Sequence, residues 1–137
     1  MTKLLVLSDS HGARDAIKRI LNKEQNNVDA VIFLGDGLRD LEQALAFFPH
    51  LRVYSVAGNC DYGALEPLDG LAGFDQTVVF YTHGHMYGVK YDLEKGQRLF
   101  QIPQAVPQKD HGIHVVLLFV QNALNGVTRA VAVAQDQ

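Results

Sequence analysis

Acidic, imidazole and amide side chains directly follow several apolar runs of this sequence. They are Asp9 and His11, then Asp36, then Asn59, and finally His83 with His85. A mixture of carboxylate, imidazole and carboxamide donors suits Mn, Fe, Zn or Co better than Ca. The chain has one cysteine, so it contains no pair of thiolates of the kind that typifies a structural zinc site. The residue types therefore predict a site for divalent metal ions.

The runs that precede these donors have the pattern of strands, with helical patterns between them. "LLVL" at 4–7 and "AVIFL" at 30–34 are continuously apolar, as expected for strands buried on both faces. Apolar residues recur at helical spacing over 13–24 and 38–48, and Pro49 is expected to end the second helix. The run "RVYSVAGNCD" at 52–61 predicts a third strand. Strands that alternate with helices predict a parallel sheet, whose strands end along one edge. That edge would bring the donors together.

The later part of the sequence is less regular. We predict a loop with one short strand at 65–75, a strand at 76–82, a helix at 92–102, a strand at 113–120 and an edge strand in the tail. No repeat, low-complexity segment or linker divides the chain. We therefore expect a single α/β domain over residues 1–137.

The composition and net charge of the chain limit the kinds of molecule that it is expected to bind. The formal charge of −3 gives no signal for nucleic acid or for an anionic membrane surface, which favour basic proteins. No apolar run is long enough to span a bilayer, and the N-terminal run is expected to be a strand rather than a signal peptide. The single cysteine favours a reducing, cytoplasmic location. The oligomeric state stays open, with a homo-oligomer among the alternatives.

Four short motifs carry a resemblance to a known family. "SDSHG" at 8–12, "LGDG" at 34–37, "GNCD" at 58–61 and "THGH" at 82–85 occur in this order, each after a predicted strand. In this the sequence resembles the calcineurin-like metallophosphoesterases, and within them the small bacterial and archaeal phosphodiesterases. The resemblance implies an αββα sandwich, two divalent metal ions, and hydrolysis of phosphomonoesters or phosphodiesters. It implies a small phosphate ester as substrate.

The resemblance also implies roles for the donors. Asp9 and His11 would hold the first metal ion, Asp36 would bridge, and Asn59 and His83 would hold the second. Asn59 and His85 would contact the substrate. Manganese is the favoured metal, with zinc, iron, nickel and cobalt as alternatives. Cys60 stands where many members have a histidine that protonates the leaving group, so no catalytic side chain is assigned.

One departure from the family concerns the C-terminal part. The family's Gly-His-Thr-His-like motif, which completes both metal spheres, and its Asn-Pro-Gly-Ser stretch do not appear. We therefore expect a shortened C-terminal part and reduced activity. A frameshift in the tail is one explanation, and His111 or His114 as replacement ligands is another. An inactive scaffold or binding module, as in a retromer subunit of this fold, is the alternative function.

Structural roles are the alternatives for the individual residues. Asp9 could cap the first helix with help from Ser10, and Asp36 could be an ordinary turn residue. The histidines at 83 and 85 could simply form a polar strand end. Cys60 is expected to be a small packed side chain rather than a nucleophile, because no base lies near it in sequence.

Overall fold

The computed structural model describes residues 2–74 and 77–87 and the backbone of two further strands. In chain order the elements are β1 (Leu4–Leu7), α1 (Arg14–Glu24), β2 (Ala30–Phe33), α2 (Leu38–Leu45), β3 (Val53–Ser55), β4 (Asp69–Phe74), β5 (Thr77–Thr82), one turn of 3₁₀ helix (His85–Tyr87), β6 (His114–Leu124) and β7 (Val127–Gln135). The predicted strands at 113–120 and in the tail are confirmed. The helix predicted at 92–102 lies outside the described residues.

The strands form two sheets. The first has the order β1-β2-β3, and both of its pairs are parallel, as the alternating pattern predicts. The second has the order β4-β5-β6-β7, with β5 and β6 parallel and the two outer pairs antiparallel. Only two residues connect β4 to β5, which is too short for a parallel crossover. The α/β prediction is confirmed, and the second sheet is mixed rather than parallel.

The first sheet is covered on both faces. One face packs on the second sheet through a cluster that contains Ala30, Ile32, Leu34, Val56, Ala72, Phe74, Val79 and Tyr81. The other face packs on α1 and α2 through Val31 and Phe33 against Leu21 and Leu41. The central strand β2 is therefore wholly buried. Strand β1 was predicted to be buried on both faces, but it is only half-buried because it lies at the edge of this sheet.

Both helices differ from prediction at one end. Helix α2 ends at Leu45 rather than at residue 48, because the amides of Phe47 and Phe48 donate to carbonyls three residues earlier and tighten the last turn. Helix α1 begins at Arg14, and Ala13 precedes it without a side-chain cap. Asp9 therefore does not cap this helix. None of the helices in the part of the chain that the structure describes is long and apolar enough to cross a membrane.

The loops after β1 and β2 remain paired beyond the strands themselves. The Asp9 amide donates to the Gly35 carbonyl over 2.9 Å, and the His11 amide donates to the Asp36 carbonyl over 3.3 Å. The backbone hydrogen bonds between β1 and β2 thus continue into the loops that hold the predicted donors. It keeps the motifs at 8–12 and 34–37 side by side.

The carboxylate of Asp61 holds two of these loops together. It accepts hydrogen bonds from the amides of Asp36, Gly37, Leu38 and Gly58, over 2.6, 2.8, 3.0 and 2.8 Å. Two of these amides, those of Gly37 and Leu38, lie at the start of α2, where backbone donors have no partner within the helix. Asp61 therefore joins the loop after β3 to the loop after β2.

A second carboxylate secures the loop after β1. Asp40 lies in the first turn of α2 and accepts from the Ser10 hydroxyl over 2.7 Å and from the Gly12 amide over 2.8 Å. The three loops at the carboxyl ends of β1, β2 and β3 are thus joined through the N-terminal part of α2.

We expect Asp61→Ala to lower the free energy of unfolding by about 3 kcal/mol, because hydrogen bonds to a charged group contribute roughly 1.5–3 kcal/mol each and are not additive. Asp61→Asn should lose less stability than Asp61→Ala, because its amide oxygen still accepts hydrogen bonds. It should remain less stable than the wild type, because its NH₂ group would face backbone amides that are also donors. Urea denaturation of the metal-free chain measures both. As a control, Asp15→Ala should change stability by less than about 0.5 kcal/mol, since the Asp15 side chain is 84% exposed. Equal stability of Asp61→Ala and the wild type would contradict the proposed anchoring.

Candidate metal centre

Asp36 lies at the centre of a group of ionisable side chains. It follows β2 and is only 4% exposed. Its Oδ1 atom accepts the Cys60 amide over 2.8 Å. Its Oδ2 atom lies 3.3 Å from Nε2 of His83 and 3.8 Å from Nε2 of His11. One carboxylate therefore faces both predicted imidazole donors, an arrangement that an ordinary turn residue does not require.

Asp9 and His11 come from the loop after β1. Asp9 is 2% exposed, and its carboxylate accepts a hydrogen bond from the Ser8 hydroxyl. The other carboxylate oxygen lies 3.4 Å from Nε2 of His11. The His11 side chain is 48% exposed, so this imidazole forms the solvent-facing side of the group.

His83 reaches the same group from the end of β5, in the second sheet. Its Nδ1 atom lies 2.7 Å from the carbonyl oxygen of Leu34, and a carbonyl accepts only, so Nδ1 carries a proton. In the protonated ring Nε2 also carries a proton and donates it to Asp36, whereas in the neutral ring the Nε2 lone pair is free to bind a cation beside Asp36. A backbone carbonyl that orients a histidine in this way is a common feature of metal sites.

These side chains form two donor groups that share one residue. Asp9, Asp36 and His83 make one group, and His11, Asp36 and Cys60 make the other. This grouping places Asp9 with His83, whereas the resemblance implies that Asp9 shares a metal ion with His11, which lies 3.4 Å from it. Within each group the donor atoms lie within 4.8 Å of one another. The first group is buried, whereas His11 and Cys60 of the second are exposed. Asp36 is the shared member, as a bridging carboxylate must be.

The electrostatics of the group favour a bound cation. Burial works to raise the pKa of Asp36, but the hydrogen bonds from His83 and Cys60 and the attraction of the His83 and His11 imidazoles together lower this pKa to about 2. Burial works to lower the pKa of His83, yet Asp36, with the Leu34 carbonyl and Asp9, more than reverses this and raises it. Burial also raises the pKa of Asp9, and the Asp36 charge adds to this. The group thus has two adjacent carboxylates with imidazoles beside them. Divalent cations fit these donors and would compensate the negative charge of the carboxylates.

The backbone is strained at the donors themselves. Among the described residues, the non-glycine positions with positive φ are Asp9, His11 and Asp36, at 53°, 42° and 60°. This region is unfavourable for residues with a Cβ atom and occurs preferentially at functional sites. Glycine lets the loops approach closely, since a Cβ atom at Gly58 would overlap Oδ1 of Asp36.

Asn59 and His85 are placed nearby, with roles that stay predictions. Asn59 is exposed, and its amide nitrogen donates to Sγ of Cys60 over 3.5 Å. The His85 ring lies 5.4 Å from the His83 ring, and its buried Nδ1 atom has no hydrogen-bond partner among the described residues. Burial and the neighbouring His83 lower the pKa of His85. A neutral imidazole with a free ring nitrogen remains available to a ligand.

Three further residues considered in the sequence analysis are His111, His114 and Cys60. His111 lies outside the described residues, and His114 begins β6, where only the backbone is described. The prediction that Cys60 is a packed side chain is wrong, because Cys60 is exposed beside Asp36 and His11. The amide that binds Asp36 fixes the position of Cys60.

Sequence reasoning also missed the anchoring carboxylates Asp40 and Asp61. Asp61 stands within the "GNCD" motif, and Asp40 falls in the first turn of α2, where acidic residues are common. Their partners lie 23 to 30 residues away in sequence, apart from Gly58, so no local pattern reveals them.

Two solved structures are similar to this chain. One is the crystal structure of a conserved protein from Streptococcus pneumoniae TIGR4, a predicted phosphoesterase, with 26% identity and a TM-score of 0.58. The other is YfcE, a phosphoesterase from E. coli, with 26% identity and a TM-score of 0.53. The similarity covers 72% and 64% of this chain, but only 54% and 60% of those two chains.

A comparison with models of protein families covers more of the chain than the two solved structures do. No curated protein matches the sequence significantly. Residues 2–113 match the model of the calcineurin-like phosphoesterase superfamily domain. This region contains all four motifs and both donor groups. The chain therefore belongs to the calcineurin-like phosphoesterase superfamily.

Proposed function

We propose that this protein hydrolyses small phosphate esters with the help of two divalent cations. The observation that carries the proposal is the position of Asp36, which belongs to both donor groups. The metal ligands are the five residues Asp9, His11, Asp36, Asn59 and His83. The similarity to the E. coli phosphoesterase supports this activity, although the chain spans 60% of that protein.

In the proposed site, the individual side chains have different roles. Divalent cations bound there would lower the pKa of a water molecule and neutralise phosphoryl oxygens during in-line attack. Asp36 joins the two metal positions, while the Leu34 carbonyl orients His83 and the Ser8 hydroxyl orients Asp9. Asn59 and His85 lie beside these positions and would bind the phosphate ester.

Manganese is the favoured cation, because the family resemblance implies it and the five ligands are oxygen and nitrogen donors that it accepts. Zinc, iron, nickel and cobalt suit the same donors and remain alternatives. Phosphodiesters and phosphomonoesters both suit a site that relies on cations rather than on a nucleophilic side chain.

A second candidate function is that of a metal-poor scaffold or binding module. The observation that favours it is the absence of a Gly-His-Thr-His-like motif from the sequence. Without those histidines, each metal position has fewer protein ligands, and both occupancy and catalysis depend on a complete ligand set.

Asp36→Asn should remove both metal ions, because the variant keeps the shape of the side chain but loses the shared charge. We expect hydrolysis of bis-p-nitrophenyl phosphate with manganese to fall by more than about 100-fold, since loss of an outer partner alone costs about 10–100-fold. Metal analysis and the rate are measured together. Asp15→Asn, an exposed change on α1, is the control. Two metal ions retained by Asp36→Asn would refute the bridging role.

Manganese should raise the thermal stability of the wild type. A ligand that binds only the native state stabilises it by about 2.7 kcal/mol at a hundredfold excess over its dissociation constant. A shift of several degrees in the melting temperature is therefore expected, and Asp36→Asn should show little of it. A melting temperature that does not respond to manganese, zinc or nickel would favour the scaffold.

We expect the turnover of this chain to be below that of the E. coli phosphoesterase under the same conditions. The reason is that the histidines of the missing motif would bind both metal ions from a further strand end. Steady-state kinetics with bis-p-nitrophenyl phosphate and manganese compare the two proteins. Equal turnover would contradict this expectation, and His114→Ala would then test whether a replacement ligand supplies the missing contact.

A further inference from the structure

The exposed donor group contains an atom that the family resemblance does not supply, the sulfur of Cys60. The donor atoms of His11, Asp36 and Cys60 lie within 4.8 Å of one another. In a tetrahedral zinc site, bond lengths of about 2.3 Å to sulfur and about 2.0–2.1 Å to nitrogen place the two ligand atoms about 3.6 Å apart. Movements of up to about 1.2 Å would therefore place the three atoms around one ion. His11 and Cys60 are exposed and have room to make them.

The main chain holds Cys60 beside the shared carboxylate. The Cys60 amide donates to Oδ1 of Asp36 over 2.8 Å, and the next residue is Asp61 with its four backbone hydrogen bonds. Both of these contacts fix the turn that carries Cys60. The main chain of Cys60 is therefore held on the His11 side of the site.

The neighbouring amide of Asn59 contacts the sulfur, whereas burial and the Asp36 carboxylate raise the pKa of the Cys60 thiol, so only a bound cation would favour the thiolate. Nδ2 of Asn59 lies 3.5 Å from Sγ of Cys60 and donates toward it. Outer partners of this kind orient the ligands of metal sites and tune their basicity. The nitrogen of Asn59 is thus used on the sulfur, while its oxygen remains available to the second metal position.

We propose that the Cys60 thiolate is a ligand of the cation that His11 and Asp36 hold. This inference rests on the proposed metal site and adds a ligand to it. The thiol proton passes to solvent as the bond between sulfur and metal forms, with no change of oxidation state. Since thiolate is softer than carboxylate, this position should prefer zinc or cobalt, whereas the buried Asp9–Asp36–His83 position should not.

Cobalt titration of the full chain tests the proposal through absorption. A thiolate-to-cobalt charge-transfer band in the near ultraviolet reports the sulfur bond, and it can come only from Cys60, the one cysteine of the chain. The visible bands of cobalt report a bound ion with or without sulfur. We expect Cys60→Ser and Cys60→Ala to lose the near-ultraviolet band and to bind the first cobalt at least about 10-fold more weakly. His11→Ala should lose or strongly weaken the same band.

The outcomes separate this inference from the proposed function. Visible bands without a charge-transfer band would overturn the role of Cys60 and leave the metal site intact, with the thiol free to face a substrate. A band of full intensity in His11→Ala would show that the thiol binds cobalt outside the site, which also overturns the inference. No bound cobalt, manganese or zinc in equilibrium dialysis of the wild type would overturn both proposals.

Discussion

The burial of two neighbouring carboxylates is the constraint on which the rest of the site depends. Asp9 and Asp36 end adjacent parallel strands and are 2% and 4% exposed. Buried charge is costly unless it is paired or hydrogen-bonded. The Ser8 hydroxyl, the Cys60 amide and the His83 imidazole supply part of the compensation. The raised pKa of His83 indicates that the group still attracts positive charge, which divalent cations would supply in greater amount than one proton.

The acidic residues of the site serve two different purposes. Asp9 and Asp36 belong to the donor groups, whereas Asp40 and Asp61 accept hydrogen bonds from backbone amides. The second pair is needed because three donors have positive φ, and such strain persists only where the surrounding structure holds it. Hydrogen bonds from α2 and from the loop after β3 hold it here. The same close approach makes glycine necessary at Gly37, where a Cβ atom would overlap the Ser10 hydroxyl.

The fold and the donors could be predicted from sequence to the extent that they depend on local pattern. The continuous apolar run of β2 and the polar residues after each strand place Asp9, Asp36 and His83 at strand ends, and the structure confirms that they converge. The half-burial of β1 depends on its position in the sheet. The exposure of Cys60 and the contacts of Asp61 depend on loops about 25 residues apart. Periodicity and propensity carry no information about such contacts.

The two halves of the site differ in exposure, and this difference bears on how it would work. Asp9, Asp36 and His83 are all buried, so a cation bound among them would be held by side chains that cannot easily move. His11 and Cys60 are exposed, so the proposed phosphate ester would approach from this side. Asn59 is exposed on this side as well and contacts Cys60. Because Asp36 joins the halves, a change of ligand on the exposed side would also alter the charge available to the buried side.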